Sequence, residues 1–283
     1  MRFPEQAVAR AAADKLVANL GLTADTLAQI KTLPEADIRA ALEGTGAATA
    51  PSIDGRTLTR HPFEPDAAPP GRDVPMMLGT NRTENSLFAG GANPAIFDIT
   101  WEQLPDVMRQ SYPDKDVEAI IAGYRVLQPE ASAADVYFEA TTDSRWLAGH
   151  VQQAERKVLQ GGAAAYLYLF NWDTPVDDGK WRSPHALEIG FVFDNVANSE
   201  SMSGSGPEQQ QIADMMADTW IAFARTGKPD NPKIPVWPAY NLETRPVMVF
   251  DTTPMLINDA RAAQRALFDD SASYGNRYQP DTD

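Results

Sequence analysis

Apolar positions along this chain recur mostly every three or four residues and collapse into unbroken runs at only a few places. Val8, Ala12, Leu16 and Leu20 fall on one helical face before Gly21, and Pro4 suits a first helical position. Further helical segments are expected at 23–32, 34–44, 100–110 and 114–127. A long helical stretch covers 131–160, broken near Thr141-Thr142-Asp143 and ended by Gly161-Gly162. Another helix spans 207–226 and stops at Gly227, and a last one covers 259–268. The unbroken runs read as strands at 74–79, 164–170 and 246–251. The run at 164–170 is aromatic and apolar on both faces, which suits the interior of a sheet covered by helices.

Between these elements lie a loop at 47–51, a turn at Asp54-Gly55 and a four-proline stretch at 61–73. Polar or proline-rich loops are also expected at 173–183 and 228–240, and the tail 269–283 reads as polar and mobile. Strands alternate with helices, so the fold class is α/β. Two or three strands in 283 residues is few for strands that must be buried on two faces. A piece of a larger sheet has that look.

Charge narrows the partners. Asp and Glu total 39 against 24 Lys and Arg, a formal net charge of −15. A surface that acidic repels phosphate backbones and anionic lipid, so neither nucleic acid nor a membrane is an expected partner. The absence of cysteine excludes disulfides, thiol nucleophiles and cysteine metal sites. The opening residues hold no apolar signal core, and no run approaches the length of a bilayer span. As written, the chain is expected to be soluble and without an export signal of its own, which fits a cytoplasm and leaves the compartment open.

Any mechanism that needs a histidine base has three candidates, His61, His150 and His185. His61 lies in the proline-rich loop and His150 in a helix, where structural or exposed roles are expected. His185 lies after the 164–170 strand and Glu84 after the 74–79 strand. In open α/β sheets, ligand sites lie beyond the carboxyl ends of strands, so this acid and this histidine are placed to meet. Each also has an ordinary reading: Glu84 as a solvated carboxylate, His185 as a capping or core histidine. His185 and Glu188, three apart, could pair on a metal, but no third ligand cluster accompanies them.

The strings themselves resemble the type-B carboxylesterase family, which includes para-nitrobenzyl esterases and cholinesterases. Val74-Pro75-Met76-Met77-Leu78-Gly79-Thr80-Asn81-Arg82-Thr83-Glu84 is similar to the family segment that carries the triad acid, which falls on Glu84. Pro184-His185-Ala186-Leu187-Glu188 is similar to the segment that carries the triad histidine, which falls on His185. Asp54-Gly55-Arg56, His61-Pro62-Phe63, Thr142-Asp143, Tyr166–Phe170, Trp220–Gly227 and Trp237-Pro238 match other family stretches in order, so the likeness covers residues 1–268. Glu84 and His185 stand 101 positions apart, as the resemblance leads one to expect.

One departure is large. The family's serine sits in a Gly-x-Ser-x-Gly elbow upstream of everything matched, and no such string occurs in these 283 residues. Ser201-Met202-Ser203-Gly204-Ser205-Gly206 lacks the leading glycine. The resemblance therefore implies the carboxyl-terminal part of an α/β-hydrolase fold, few parallel strands flanked by many helices. It implies a serine esterase of the Ser-His-Glu type acting on a small-molecule ester, with no cofactor and no metal, to which this chain gives acid and histidine but not serine. Alone, the chain is expected to be inactive. It is also expected to be unstable, self-associating or partnered by a separate amino-terminal half, because the strand at 166–170 would expose apolar faces and an unpaired edge. A non-catalytic, cholinesterase-like binding module or an inactive fragment is the alternative. Aromatics near Trp172, Phe191 and Phe193 are expected to line the pocket.

Overall fold

The computed structural model describes residues 3–46 and 51–268, so most of the loop at 47–51 and the tail 269–283 lie outside the described residues. The chain divides into two compact units, Met1–Gly71 and Arg72–Asp283.

The first unit holds helices α1 (Gln6–Asn19) and α2 (Glu35–Leu42), with a 3₁₀ segment at Leu27–Thr32 in place of the middle helix. Pro4 lies just ahead of α1 rather than inside it, because its carbonyl accepts from Ile53 N at 3.0 Å. The Asp54-Gly55 turn forms as expected: Asp54 Oδ1 accepts the amides of Arg56, Thr57 and Leu58.

The second unit is built on a four-stranded sheet, β1 (Met76–Asn81), β2 (Ala165–Phe170), β3 (Pro246–Phe250) and β4 (Met255–Asn258), in that spatial order. The first three are parallel and β4 returns antiparallel to β3. Parallel neighbours need long crossovers, and the β1–β2 crossover carries α3 (Leu104–Ser111), α4 (Val117–Leu127), α5 (Ala133–Thr142) and α6 (Ala148–Leu159). The β2–β3 crossover carries α7 (Leu187–Val192), α8 (Glu200–Ser203) and the long α9 (Pro207–Thr226), and α10 (Ala262–Ala266) follows β4.

Period-two alternation sorts the strand residues to two cores. Tyr166, Phe170, Met248 and Phe250 pack with Ile212 and Met216 of α9 and Phe191 of α7. Ala165, Leu167, Leu169, Val247 and Val249 face the other way, onto Val151 and Ala154 of α6. A third core joins α3, α4 and α5. The sheet is thus covered by helices on both faces, and the chain has an α/β fold.

Three expectations change. β2 is central, paired to β1 and β3 and almost wholly buried, so it exposes neither an edge nor an apolar face. The edges among the described residues are β1 and β4. The helical stretch at 131–160 does not break at Thr141-Thr142-Asp143; a π-helical turn, Asp143–Leu147, carries α5 into α6. β1 runs two residues beyond Gly79, because Thr80 and Asn81 continue the ladder opposite Leu169 and Phe170 even though their side chains are polar.

Gly79 has a packing reason. A methyl group there would overlap the ring of Tyr168 on the neighbouring strand. Only glycine lets that ring lie across β1.

Candidate active site

β1 and β2 end side by side, with Asn81 opposite Phe170, so the chain leaves both strands at one rim of the sheet. The two exits are then tied together. Arg82 N donates to Phe170 O at 2.9 Å, Thr83 N to Ser183 O at 3.0 Å, and Ser183 N to Thr83 Oγ1 at 2.9 Å. Asn81 Nδ2 donates to Pro184 O and to Glu188 Oε2, both at 2.6 Å. These bonds fix the loop ahead of His185 against the segment that carries Glu84. Ala186, in the left-handed region at φ 67°, turns the backbone into α7 straight after His185.

Glu84 and His185 meet. His185 Nδ1 lies 2.6 Å from Glu84 Oε2. The other carboxylate oxygen, Oε1, accepts Thr80 Oγ1 at 2.7 Å and Asn81 N at 2.8 Å. The Glu84 side chain is 7% exposed, whereas that of His185 is 45% exposed. The pair is therefore asymmetric: a buried carboxylate clamped by two donors, and an imidazole that it orients toward solvent. With Nδ1–H given to the carboxylate, Nε2 is left with its lone pair. Phe88 packs against the imidazole with ring centroids 4.8 Å apart, and stacks on Trp146 at 6.2 Å.

Glu188 points to the same rim from α7. Burial raises its pKa, partly offset by the bond from Asn81. It bonds to Asn81 while His185 bonds to Glu84, so the two do not converge as a metal pair. Among the described residues, no group of three or more His, Asp and Glu side chains is arranged to hold a metal ion.

His61 Nδ1 accepts Phe3 N at 3.3 Å. His150, on α6, has its Nδ1 buried without a hydrogen bond; burial lowers its pKa, and the nearby Glu84 carboxylate partly offsets that. Of the aromatics expected to line a pocket, Trp172 and Phe191 are buried in the α7–α9 core, where they pack against each other at 5.2 Å, while Phe193 is exposed. Trp172 just beyond β2 and Phe191 in the last turn of α7 both turn their rings inward.

Sequence reasoning did not assign Asn81, Phe88, Arg82 or Arg182 to the site. Asn81 and Arg82 carried one signal, their place in the string that leads to Glu84.

No helix among the described residues is long and apolar enough to cross a membrane. The carboxylesterase family pattern matches residues 2–268. The chain is similar to a para-nitrobenzyl esterase of Bacillus subtilis, 27% identical over 217 residues that cover 76% of this chain and 42% of that protein. It is similar to a phenmedipham hydrolase of Pseudarthrobacter oxydans, 24% identical over 70% of this chain and 39% of that one. A crystal structure of a Geobacillus stearothermophilus carboxylesterase superposes with a TM-score of 0.74 at 28% identity, covering 94% of this chain and 56% of the other. The chain thus spans about half the length of the proteins it matches. By that pattern and by its sheet, the chain belongs to the carboxylesterase family.

Proposed function

We propose that this chain supplies the acid and the general base, Glu84 and His185, of a serine carboxylic ester hydrolase. The observation that carries this reading is the 2.6 Å contact between His185 Nδ1 and a carboxylate whose other oxygen is already held. Such a carboxylate fixes the imidazole tautomer and stabilises the imidazolium when Nε2 takes a proton. His185 would accept the proton of an attacking serine and return it to the leaving alcohol. The names of the relatives, a para-nitrobenzyl esterase among them, support a small-molecule ester as substrate.

Residues 1–283 contain no Gly-x-Ser-x-Gly elbow, so the nucleophile and the oxyanion donors come from outside them, and these residues alone form no acyl-enzyme. The half-buried edge of β1 supports further strands beyond it, from the remainder of an α/β-hydrolase fold or from a second copy. The family match runs through both compact units, which supports reading 1–268 as part of one hydrolase domain.

The test combines this chain, fused or mixed, with an amino-terminal half that bears the serine elbow, and assays a chromogenic short-chain ester. Turnover is expected only from the combination, and His185→Ala should lower kcat by at least about 10³-fold. A folded combination without turnover sinks the proposal.

A further inference from the structure

Two arginines outside the acid–histidine pair reach the same helix. Arg82 precedes Glu84 by two residues, and its Nη1 donates to Glu139 Oε1 at 2.7 Å. Arg182 precedes His185 by three, and its Nε donates to Asp135 Oδ1 at 2.7 Å, with Nη2 on Oδ2 at 3.2 Å. Asp135 and Glu139 lie four apart on α5, one turn from each other on one face. One helix therefore holds the loop of the acid and the loop of the histidine.

Both anchors are themselves fixed. Asp135 completes the capping box of α5 with Ser132. Glu139 Oε2 accepts Arg261 Nη2 and Gln128 Nε2, each at 2.6 Å, and Arg261 also binds Asp143. A third tether runs from Asn85 Nδ2 to Thr141 Oγ1 at 3.2 Å.

We propose that α5 gauges the distance between Glu84 and His185, with Arg82 and Arg182 as positioning residues that set the contact without touching it. The role rests on the proposed function, in which that contact orients the base. Arg182 grips Asp135 through two nitrogens, and Arg82 spans Glu139 and Asp173; a planar fork held at two points fixes direction as well as distance. The mutual bonds of the two loops, Thr83 to Ser183 and Asn81 to Pro184, tie them only to each other, and the two arginines add an anchor on a third element.

The test is proton NMR of the full chain. With three histidines, the low-field Nδ1–H resonance of His185 is assigned by its loss in His185→Gln. Arg182→Gln removes the more exposed clamp, so that variant is the decisive one. Its low-field resonance is expected to move upfield and its proton to exchange about tenfold faster. Arg82→Gln should do the same and Arg182→Lys should restore part of the signal, whereas Lys233→Gln, which loses an ion pair to Asp218 on α9, should leave it unchanged. An unchanged resonance in a folded Arg182→Gln protein overturns the positioning role alone. A wild-type chain without any resonance sensitive to Glu84→Gln overturns the contact, and the proposed function with it.

Discussion

Glu84 has two oxygens and two duties: Oε1 holds the turn after β1 together, and Oε2 faces the imidazole. Glu84→Gln keeps an acceptor for Thr80 and Asn81 but turns an amide donor toward His185 Nδ1. The imidazole must then present a lone pair at Nδ1 and carry its proton on Nε2, the wrong tautomer for a base. In the complemented enzyme this should lower kcat by about 10⁴-fold with KM little changed. Glu188 offers a separate test. Burial raises its pKa, so its stabilising contribution is full below the ordinary carboxylate range and is lost as pH rises through the raised value. Glu188→Gln still accepts from Asn81 and does not titrate. Its melting temperature should therefore gain on wild type as the pH is raised from about 4 to 8, which calorimetry across that range would measure.

At the scale of elements, β1 and β2 depend on one close approach. Gly79→Ala should cost about 1–3 kcal/mol, read as a lower denaturant midpoint, because the added methyl must displace the Tyr168 ring from the strand. Helix α5 depends on its first turn. Burial opposes ionisation of Asp135, but the Arg182 and Ser132 hydrogen bonds outweigh it and hold the carboxyl below its usual pKa. A lowered folded value adds stability above the unfolded pKa and loses it as pH falls through the folded one. Asp135→Asn should thus destabilise at pH 7, and by progressively less below about pH 4, in a pH series of urea melts.

Across the second unit, buried charge is concentrated between α4, α5 and α10. Arg261 binds Asp143 through Nε and Nη2 and Glu139 through Nη2, and Tyr124 donates to Asp143 at 2.6 Å. Glu139 also takes Arg82, which in turn pairs with Asp173. Removing the central cation leaves two buried carboxylates short of it. Arg261→Met should cost about 3–5 kcal/mol, seen as a large drop in the unfolding midpoint. Glu139 belongs to this network and to the positioning of Glu84, so any change at 139 should disturb both stability and the His185 resonance.

The sequence alone determined the α/β class and the family, and it singled out Glu84, His185 and the strands that precede them. Each rests on local information: a doubly apolar run such as 165–170 has few alternatives to a covered strand, and the two strings around the acid and the histidine are nearly intact. Tertiary structure decided the rest. β4 and α7 were not legible, because β4 forms by pairing with β3 and α7 starts at a left-handed Ala186 that no periodicity marks. That Asn81 is a buried strand residue bridging to Pro184 and Glu188 follows from strand register, which the polar side chain conceals. The two arginine clamps join residues 57 and 47 positions apart, and only the packing of α5 beside the sheet rim brings those charges together. Local pattern fixes what an element is, and long-range packing fixes what its side chains meet.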